Sequence, residues 1–323
     1  MTVNLKDAAK FLLENDDYYI LTHINPDGDT LGAGFALADA LRSMGKNANV
    51  LCSDELPLRY LFLFDKYQPW DFEGRTIVSV DIADLQLLGD ELSIYKDRID
   101  LCIDHHVSNS MYAKRTFLDG AASATCEMMY NVIVEMGVPI NKTIAKCLYT
   151  GIATDTGCFK YGNTTVAAHV IAGELISHDI DFAIINHLMF DLKTRSRLKA
   201  EQILISNMEF HLDGMCALIT ITKDLIKQTQ VDESEFDGLA SIPRQVEGVS
   251  IGVTIKEKET GVYKISMRSS DNVNVSQICG HFGGGGHTRA AGCQLEGELD
   301  EIKARILKKV EESINLLSSG KEV

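Results

Sequence analysis

The sequence predicts an α/β fold in two domains: an N-terminal parallel sheet covered by helices, then a smaller α+β domain. Three observations carry this. The chain has 323 residues, more than one typical core encloses. Its first half alternates short, continuously apolar runs with helix-spaced stretches, the pattern of strands buried on both faces. After His211 the pattern changes to strand-like segments with turns near Asp213-Gly214 and Thr260-Gly261.

Each element has its own signal. Tyr18–Thr22 is a β-prone run ending at His23, and the turn Asn25-Pro26-Asp27-Gly28 follows. Leu31–Met44 reads as a helix stopped by Gly45. Ala48–Cys52, Ile77–Val80 and Leu101–Ile103 read as further strands, the last two ending at Asp81 and Asp104. Ala124–Met136, Ile144–Thr154 and Thr165–Ser177 carry helix-spaced apolar residues. Leu192–Glu209 reads as a charged amphipathic helix, so residues 191–209 are expected to link a domain over 1–190 to one over 210–323. In the second domain, Met215–Thr222, Val249–Lys256, Val262–Met267 and Ala291–Leu295 are expected strands, and Leu299 to Leu317 a final helix.

Composition excludes several classes. With 45% hydrophobic and 24% charged residues, the chain has the balance of an ordinary globular protein. A net charge of -15 argues against long nucleic acid, whose binding relies on many Lys/Arg–phosphate contacts. It leaves room for a small anion held by metals and a few cations, which dominate their local field. The eight cysteines form no C-x-x-C pair, and several sit in apolar runs; reduced, buried thiols in a cytoplasmic protein are expected. The polar start, with Asn4, Lys6 and Asp7, is unlike a signal peptide. No apolar run is long enough to span a bilayer, so no membrane role is expected.

The chemistry gathers at strand ends. Ligands of open α/β sheets bind beyond the carboxyl ends of the strands, and His23, Asp81 and Asp104 each stand at one. Strand-end polar residues also serve as caps and turns, but three together favour one site. Asp27 and Asp29 share a tight turn with His23 and suit two neighbouring cations; Asp29 could instead cap the helix that follows. Asp104-His105-His106 places two imidazoles behind a carboxylate. Asp155, in Gly151-Ile-Ala-Thr-Asp-Thr-Gly157, ends an otherwise apolar helical run, where a carboxylate needs a partner. Gly283–Gly286 lies between a helix-like segment and a strand, beside His281, His287 and Arg289. Bare backbone N–H groups next to basic side chains suit an anion better than a flexible linker does.

In this order, H-x-x-P-D-x-D, a strand-end Asp, D-H-H and a later Asp resemble the four motifs of the DHH phosphoesterase family. Arg268-Ser269 and Gly283-Gly-Gly-Gly-His-Thr-Arg-Ala-Ala-Gly292 resemble its accessory DHHA1 domain. The match covers nearly the whole chain and is most similar to the stand-alone oligoribonuclease/pAp phosphatase branch. The resemblance implies one metal on His23, Asp27 and Asp81 and another on Asp29, Asp81, His105 and Asp155, with Asp81 bridging. It implies that His106 contacts the scissile phosphate and Asp104 orients the histidine pair. It implies that Arg268, His287 and the backbone of Gly284, Gly285 and Gly286, with Arg289 nearby, hold the substrate's other phosphate, in a cleft between the domains. Two Mn²⁺ are implied; an oxygen-rich donor set also suits Mg²⁺. Two divalent ions would balance the four carboxylates and activate a water between them.

The expected substrate is a short oligoribonucleotide, a dinucleotide such as pApA or pGpG up to about five nucleotides, cut to 5'-monophosphates, with 3'-phosphoadenosine 5'-phosphate as a further substrate. The alternatives are a phosphodiesterase of cyclic-dinucleotide turnover, a dedicated pAp phosphatase and, from another class, a non-catalytic nucleotide sensor. An inorganic pyrophosphatase is disfavoured by Gly283–Gly292. A Rossmann dehydrogenase is set aside because Gly32-Ala-Gly34 lies inside a helix pattern and completes no G-x-G-x-x-G. A homodimer is implied by resemblance. Asn163 and Thr164 are candidates to line the substrate cleft, while His169, His178, His187 and His211 are expected to be structural.

Overall fold

A computed structural model describes residues 1–232, 235–269 and 273–318. The chain divides into two compact units, Met1–Leu192 and Lys193–Val323.

The first unit is built on a five-stranded sheet of order β2-β1-β3-β4-β5, parallel throughout. Its strands are β1 (Tyr18–Leu21), β2 (Ala48–Leu51), β3 (Thr76–Val80), β4 (Leu101–Asp104) and β5 (Arg115–Leu118). Every residue of β3 and β4 is buried, as expected for strands covered on both faces. The helices are α1 (Leu5–Glu14), α2 (Gly28–Ser43), short turns α3 (Leu61–Phe64) and α4 (Gly89–Leu92), α5 (Thr125–Glu135), α6 (Lys142–Asp155), α7 (Val166–Ile176) and α8 (Phe182–Asn186).

Helix α1 and strand β5 were not anticipated. Helix α1 is capped by Asn4, whose side chain accepts from the Asp7 N–H, and it buries Ala8, Ala9 and Leu12. Strand β5 has only four residues and is mostly half-buried, as befits an edge.

In the second unit, α9 (Arg195–Ser206) is shorter than the helix expected over Leu192–Glu209, because Glu209 already belongs to β6 (Glu209–His211). Ala200 and Leu204 of α9 pack with Ile219, Ile221 and Leu239 of the same unit, so this helix contributes to a core. A six-stranded mixed sheet follows, of order β10-β11-β9-β8-β7-β6. It comprises β6, β7 (Cys216–Ile221), β8 (Ile251–Glu259), β9 (Val262–Ser269), β10 (Gly285–His287) and β11 (Ala290–Glu296), with only β7–β8 parallel. The helices are α10 (Lys223–Thr229), α11 (Phe236–Ala240), α12 (Val275–His281) and α13 (Leu299–Ser318). Ile302, Ile306 and Val310 recur along one face of α13 and are buried against the strands. All eight cysteines are unpaired thiols, and six are buried. No helix among the described residues is long and apolar enough to cross a membrane.

Candidate functional site

At the carboxyl ends of β1, β3 and β4 the first unit gathers His23, Asp81, Asp104, His105 and His106. Asp81 takes a left-handed backbone conformation, φ +61°, which aspartate tolerates better than most residues. Its N–H still donates to the Ile103 carbonyl at 3.0 Å, so the chain turns without losing its hydrogen bond to β4.

The N-terminus of α2 supplies two carboxylates with different tasks. The cap is Asp27, accepting from the N–H groups of Asp29 and Thr30 at 2.9 and 3.1 Å. Asp29 does not cap its own helix. It is buried, and it accepts the N–H groups of Thr125 and Cys126 at 2.6 and 2.8 Å, in the first turn of α5. Ala124 gives α5 no side-chain cap, so Asp29 fills that role from 96 residues away and sits at the positive end of the helix dipole. The Thr125 hydroxyl donates to Asp81 at 2.8 Å and ties the second carboxylate to the same helix end.

Glycines allow this convergence. A Cβ on Gly28 would collide with Thr154 on α6, one on Gly32 with the Cys147 carbonyl, and one on Gly151 with Cys126 and Asp29. Three helices therefore meet at close range, and Asp155, the last residue of α6, arrives beside Asp29. Gly32 thus packs helices together.

Three sets of donor atoms result, each within 4.8 Å: His23 with Asp27 and Asp81, Asp29 with His105 and Asp155, and Asp81 with His105 and His106. His23 Nε2 lies 3.6 Å from Asp27 and 3.7 Å from Asp81 Oδ2. His105 Nε2 lies 3.7 Å from Asp81 Oδ1, 3.5 Å from Asp155 and 3.9 Å from Asp29. These separations exceed hydrogen-bond lengths. They suit donors on one ion, since ligands about 2.1 Å from a cation stand roughly 3 Å or more apart. The two oxygens of Asp81 face two different histidines. Both rings set Nδ1 against a backbone carbonyl, Ile24 at 2.7 Å for His23 and Ala122 at 3.2 Å for His105. That contact directs Nε2 at the carboxylates, the orientation of a metal-ligating imidazole.

The electrostatics agree. Burial, then the negative charges of Asp81, Asp155 and Asp27, push the Asp29 carboxyl well above its usual range. Burial also lifts Asp155, to about 6; Asp81 and Asp27 add to that, against the opposing pull of His105. Burial disfavours a charged His23, yet Asp27 and Asp81 outweigh it and hold its pKa at about 11. Without cations the cluster retains protons, and divalent ions would replace them. The donor set therefore fits two hard cations.

His106 differs from its neighbour. Its Nδ1 donates to Asp104 at 2.8 Å, while the ring is 43% exposed. The Asp104 hydrogen bond, against burial, lifts its pKa to about 9. Asp104 is buried and fixed on its other oxygen by the Asn109 amide at 2.6 Å. Burial would raise the Asp104 carboxyl, but these two partners hold it below the usual range. Asn109, Thr125 and Cys126 went unnoticed in the sequence. Asn163 uses its amide to join the carbonyls of Ser123 and Asp155, at 3.1 and 3.2 Å, and Thr164 continues the same loop. His169 stacks on Phe159 and His211 pairs with Glu209.

In the second unit, His287, Ala290 and Arg268 stand opposite one another on β10, β11 and β9. They share one face of the sheet, with His287 and Arg268 two strand spacings, about 10 Å, apart. The Gly-rich run forms the exposed edge strand β10 and the turn before it. Gly283 needs its positive φ of +77°, and side chains on Gly284 or Gly286 would strike β11. Gly285 differs: a Cβ there meets nothing within 4 Å.

Fold and site together define a two-unit α/β protein whose first unit clusters carboxylates and imidazoles that could hold metal ions. The chain belongs to the DHH/DHHA1 family: the DHH family N-terminal domain matches residues 17–152 and the DHHA1 domain residues 216–315. It is 32% identical to the bifunctional oligoribonuclease and PAP phosphatase NrnA of Thermus thermophilus, over 92% of this chain and 90% of that protein. The protein of the same name from Bacillus subtilis is 26% identical over 90% and 93%. The crystal structure of an exopolyphosphatase-related protein from Bacteroides fragilis superposes with a TM-score of 0.86, at 27% identity and 97% coverage of both chains. Manganese-bound exonuclease RecJ shares the fold at a TM-score of 0.54 and 12% identity, with 94% of this chain and 93% of that one covered.

Proposed function

We propose that this protein is a two-metal phosphodiesterase that cuts short oligoribonucleotides, of two to about five nucleotides, to nucleoside 5'-monophosphates. The observation that carries the reading is Asp81, whose two carboxylate oxygens face His23 and His105 in separate donor sets. The names of the relatives supply the substrate class, and their second named activity extends it to 3'-phosphoadenosine 5'-phosphate.

His23, Asp27 and Asp81 would hold one ion, and Asp29, Asp81, His105 and Asp155 the other. When bound, two Mn²⁺ ions supply Lewis-acid polarisation of the phosphate and an activated water. The chain's residues do the rest. Asp104 fixes the His106 ring so that its exposed edge donates to a phosphoryl oxygen, and the Asp104 carboxylate favours the protonated ring. Asp29 and Thr125 lock the carboxylates to α5, so the ligands are preorganised. Arg268, His287, Arg289 and the edge strand hold the substrate's distal phosphate, which limits its length. An acidic chain with one such anion site suits a short substrate better than a polymer.

Product formation tests the reading directly. The chain is incubated with 5'-pApA, pGpG, a five-nucleotide RNA, a 24-nucleotide RNA and 3'-phosphoadenosine 5'-phosphate, with Mn²⁺ and with EDTA. Mn²⁺-dependent mononucleotide release from the short RNAs is expected, with little from the 24-mer. Equal cleavage of the 24-mer would contradict the length limit, and silence on all five would leave a sensor.

A further inference from the structure

The far end of the α2–α6 helix pair holds a cavity of about 360 Å³ within the first unit. Phe35, Asp39 and Arg42 reach it from α2, Leu63, Asp65, Lys66 and Tyr67 from α3 and the turn after it, and Lys142 and Lys146 from the first turns of α6. Four cationic side chains thus face two acidic ones in a chain of net charge -15. On so acidic a surface this local reversal of sign needs a cause, and the cations do not all have structural ones.

Two of the four are committed to the fold. The Arg42 guanidinium lies on the rings of Tyr67 and Trp70 and donates to the Ala48 carbonyl and to Asn49. Lys146 donates to the Phe62 carbonyl. Asp39 is likewise engaged, by the Asn141 amide at 2.6 Å. Lys142 reaches Asp179 only at 3.5 Å, in an exposed pair worth little. Lys66 is exposed on the rim. Phe35, Leu63 and Tyr67 also line it; Phe35 and Leu63 are almost fully buried, and the half-buried Tyr67 meets the Phe35 ring edge to face at 5.0 Å. A cavity with a half-buried aromatic side chain and two exposed ammonium groups, at the lower end of the usual ligand-pocket size, suits a small molecule that is flat at one end and anionic at the other.

We propose that this cavity is a second binding site, for a nucleoside monophosphate, with the phosphate on Lys66 and Lys142 and the base against Tyr67. The choice of a nucleotide rests on the proposed hydrolysis, whose product has this size and charge. The site is separate from the catalytic groups: Lys142 and Asp155 stand at opposite ends of α6, about 20 Å apart at 1.5 Å per residue. The helices that line it are those that carry Asp27, Asp29 and Asp155 at their other ends.

The test is AMP binding to the full-length Asp81→Ala chain, which disables the metal centre, against the same chain with Lys66→Glu and Lys142→Glu. Both lysines are exposed, and a glutamate in the first turn of α6 favours the helix dipole, so the fold should persist. Binding should survive in the single variant and fall about ten-fold or more in the triple variant. Adenosine and inorganic phosphate should each bind more weakly than AMP. Independently, AMP should slow amide exchange over residues 142–146 of the unmodified chain. No binding to Asp81→Ala, equal binding to both variants, phosphate binding as tight as AMP, or unchanged exchange over 142–146 would overturn the inference. A chain that releases mononucleotides but fails these tests loses this inference alone; one that binds AMP here yet cuts no RNA loses the proposed function alone.

Discussion

The carboxylate–histidine cluster of the first unit and the Gly-rich edge of the second, the two regions proposed to handle the substrate's phosphates, are built on opposite principles. The first buries Asp29, Asp81 and Asp104 and fixes several of its groups from elsewhere in the unit: Asp29 by α5, Asp104 by Asn109, and His105 by the Ala122 carbonyl. The second is exposed, and most of its glycines answer to the backbone around them. One device gains strength from preorganised charge, the other from access. A substitution should therefore act independently of substrate in the first, and depend on substrate in the second.

The largest effect is expected for Asp81→Ala. It removes a ligand facing both histidines, and turnover should fall by roughly 10³-fold or more with every substrate. Wild-type-like turnover in steady-state assays would break the account of the first region. Next is Arg268→Ala. Loss of one charge-assisted contact to phosphate, about 1.5–3 kcal/mol, should cost dinucleotides roughly 10- to 150-fold. A phenyl phosphodiester with no second phosphate should be spared, and equal losses on both would erase the contrast between the regions.

Asp104→Asn acts through His106, so it should lower kcat by roughly 10- to 100-fold on both kinds of substrate and leave metal content unchanged. Metal analysis beside kinetics separates this from ligand loss. The smallest effect is expected at Gly285. A Cβ fits there, so Gly285→Ala should keep its melting temperature, whereas Gly286→Ala, at φ +143° and against Ala290, should lower it. If Gly285→Ala weakens dinucleotide binding at unchanged stability, that glycine serves ligand approach; if binding is also unchanged, the strand needs no bare backbone there.

How much of this was legible in the sequence follows from range. Strand-end residues could be read because β1, β3 and β4 are short apolar runs with sharp polar ends. The partners that fix those residues could not, because nothing local marks a contact such as Thr125 to Asp29, made across 96 residues. Asn109, only five residues from Asp104, lies in an irregular segment with no periodicity to place it. The edge strand β10 escaped notice because glycine carries little strand propensity, and its pairing is imposed by β11. The cap at Asn4 does carry a local signal for α1, an Asn just ahead of a helix-spaced apolar stretch. Gly28 and Gly32 looked like turn or fingerprint residues, and only helix packing reveals their use and that of Gly151.

The central claim is that six side chains hold two ions through a shared Asp81. Metal content and electron paramagnetic resonance of the Mn²⁺-loaded chain, beside Asp81→Ala, test it most directly. The account predicts two Mn²⁺ per chain with a spin-coupled signal, and loss of that coupling in the variant. A single uncoupled Mn²⁺ in the unmodified chain, or coupling that survives Asp81→Ala, would contradict it.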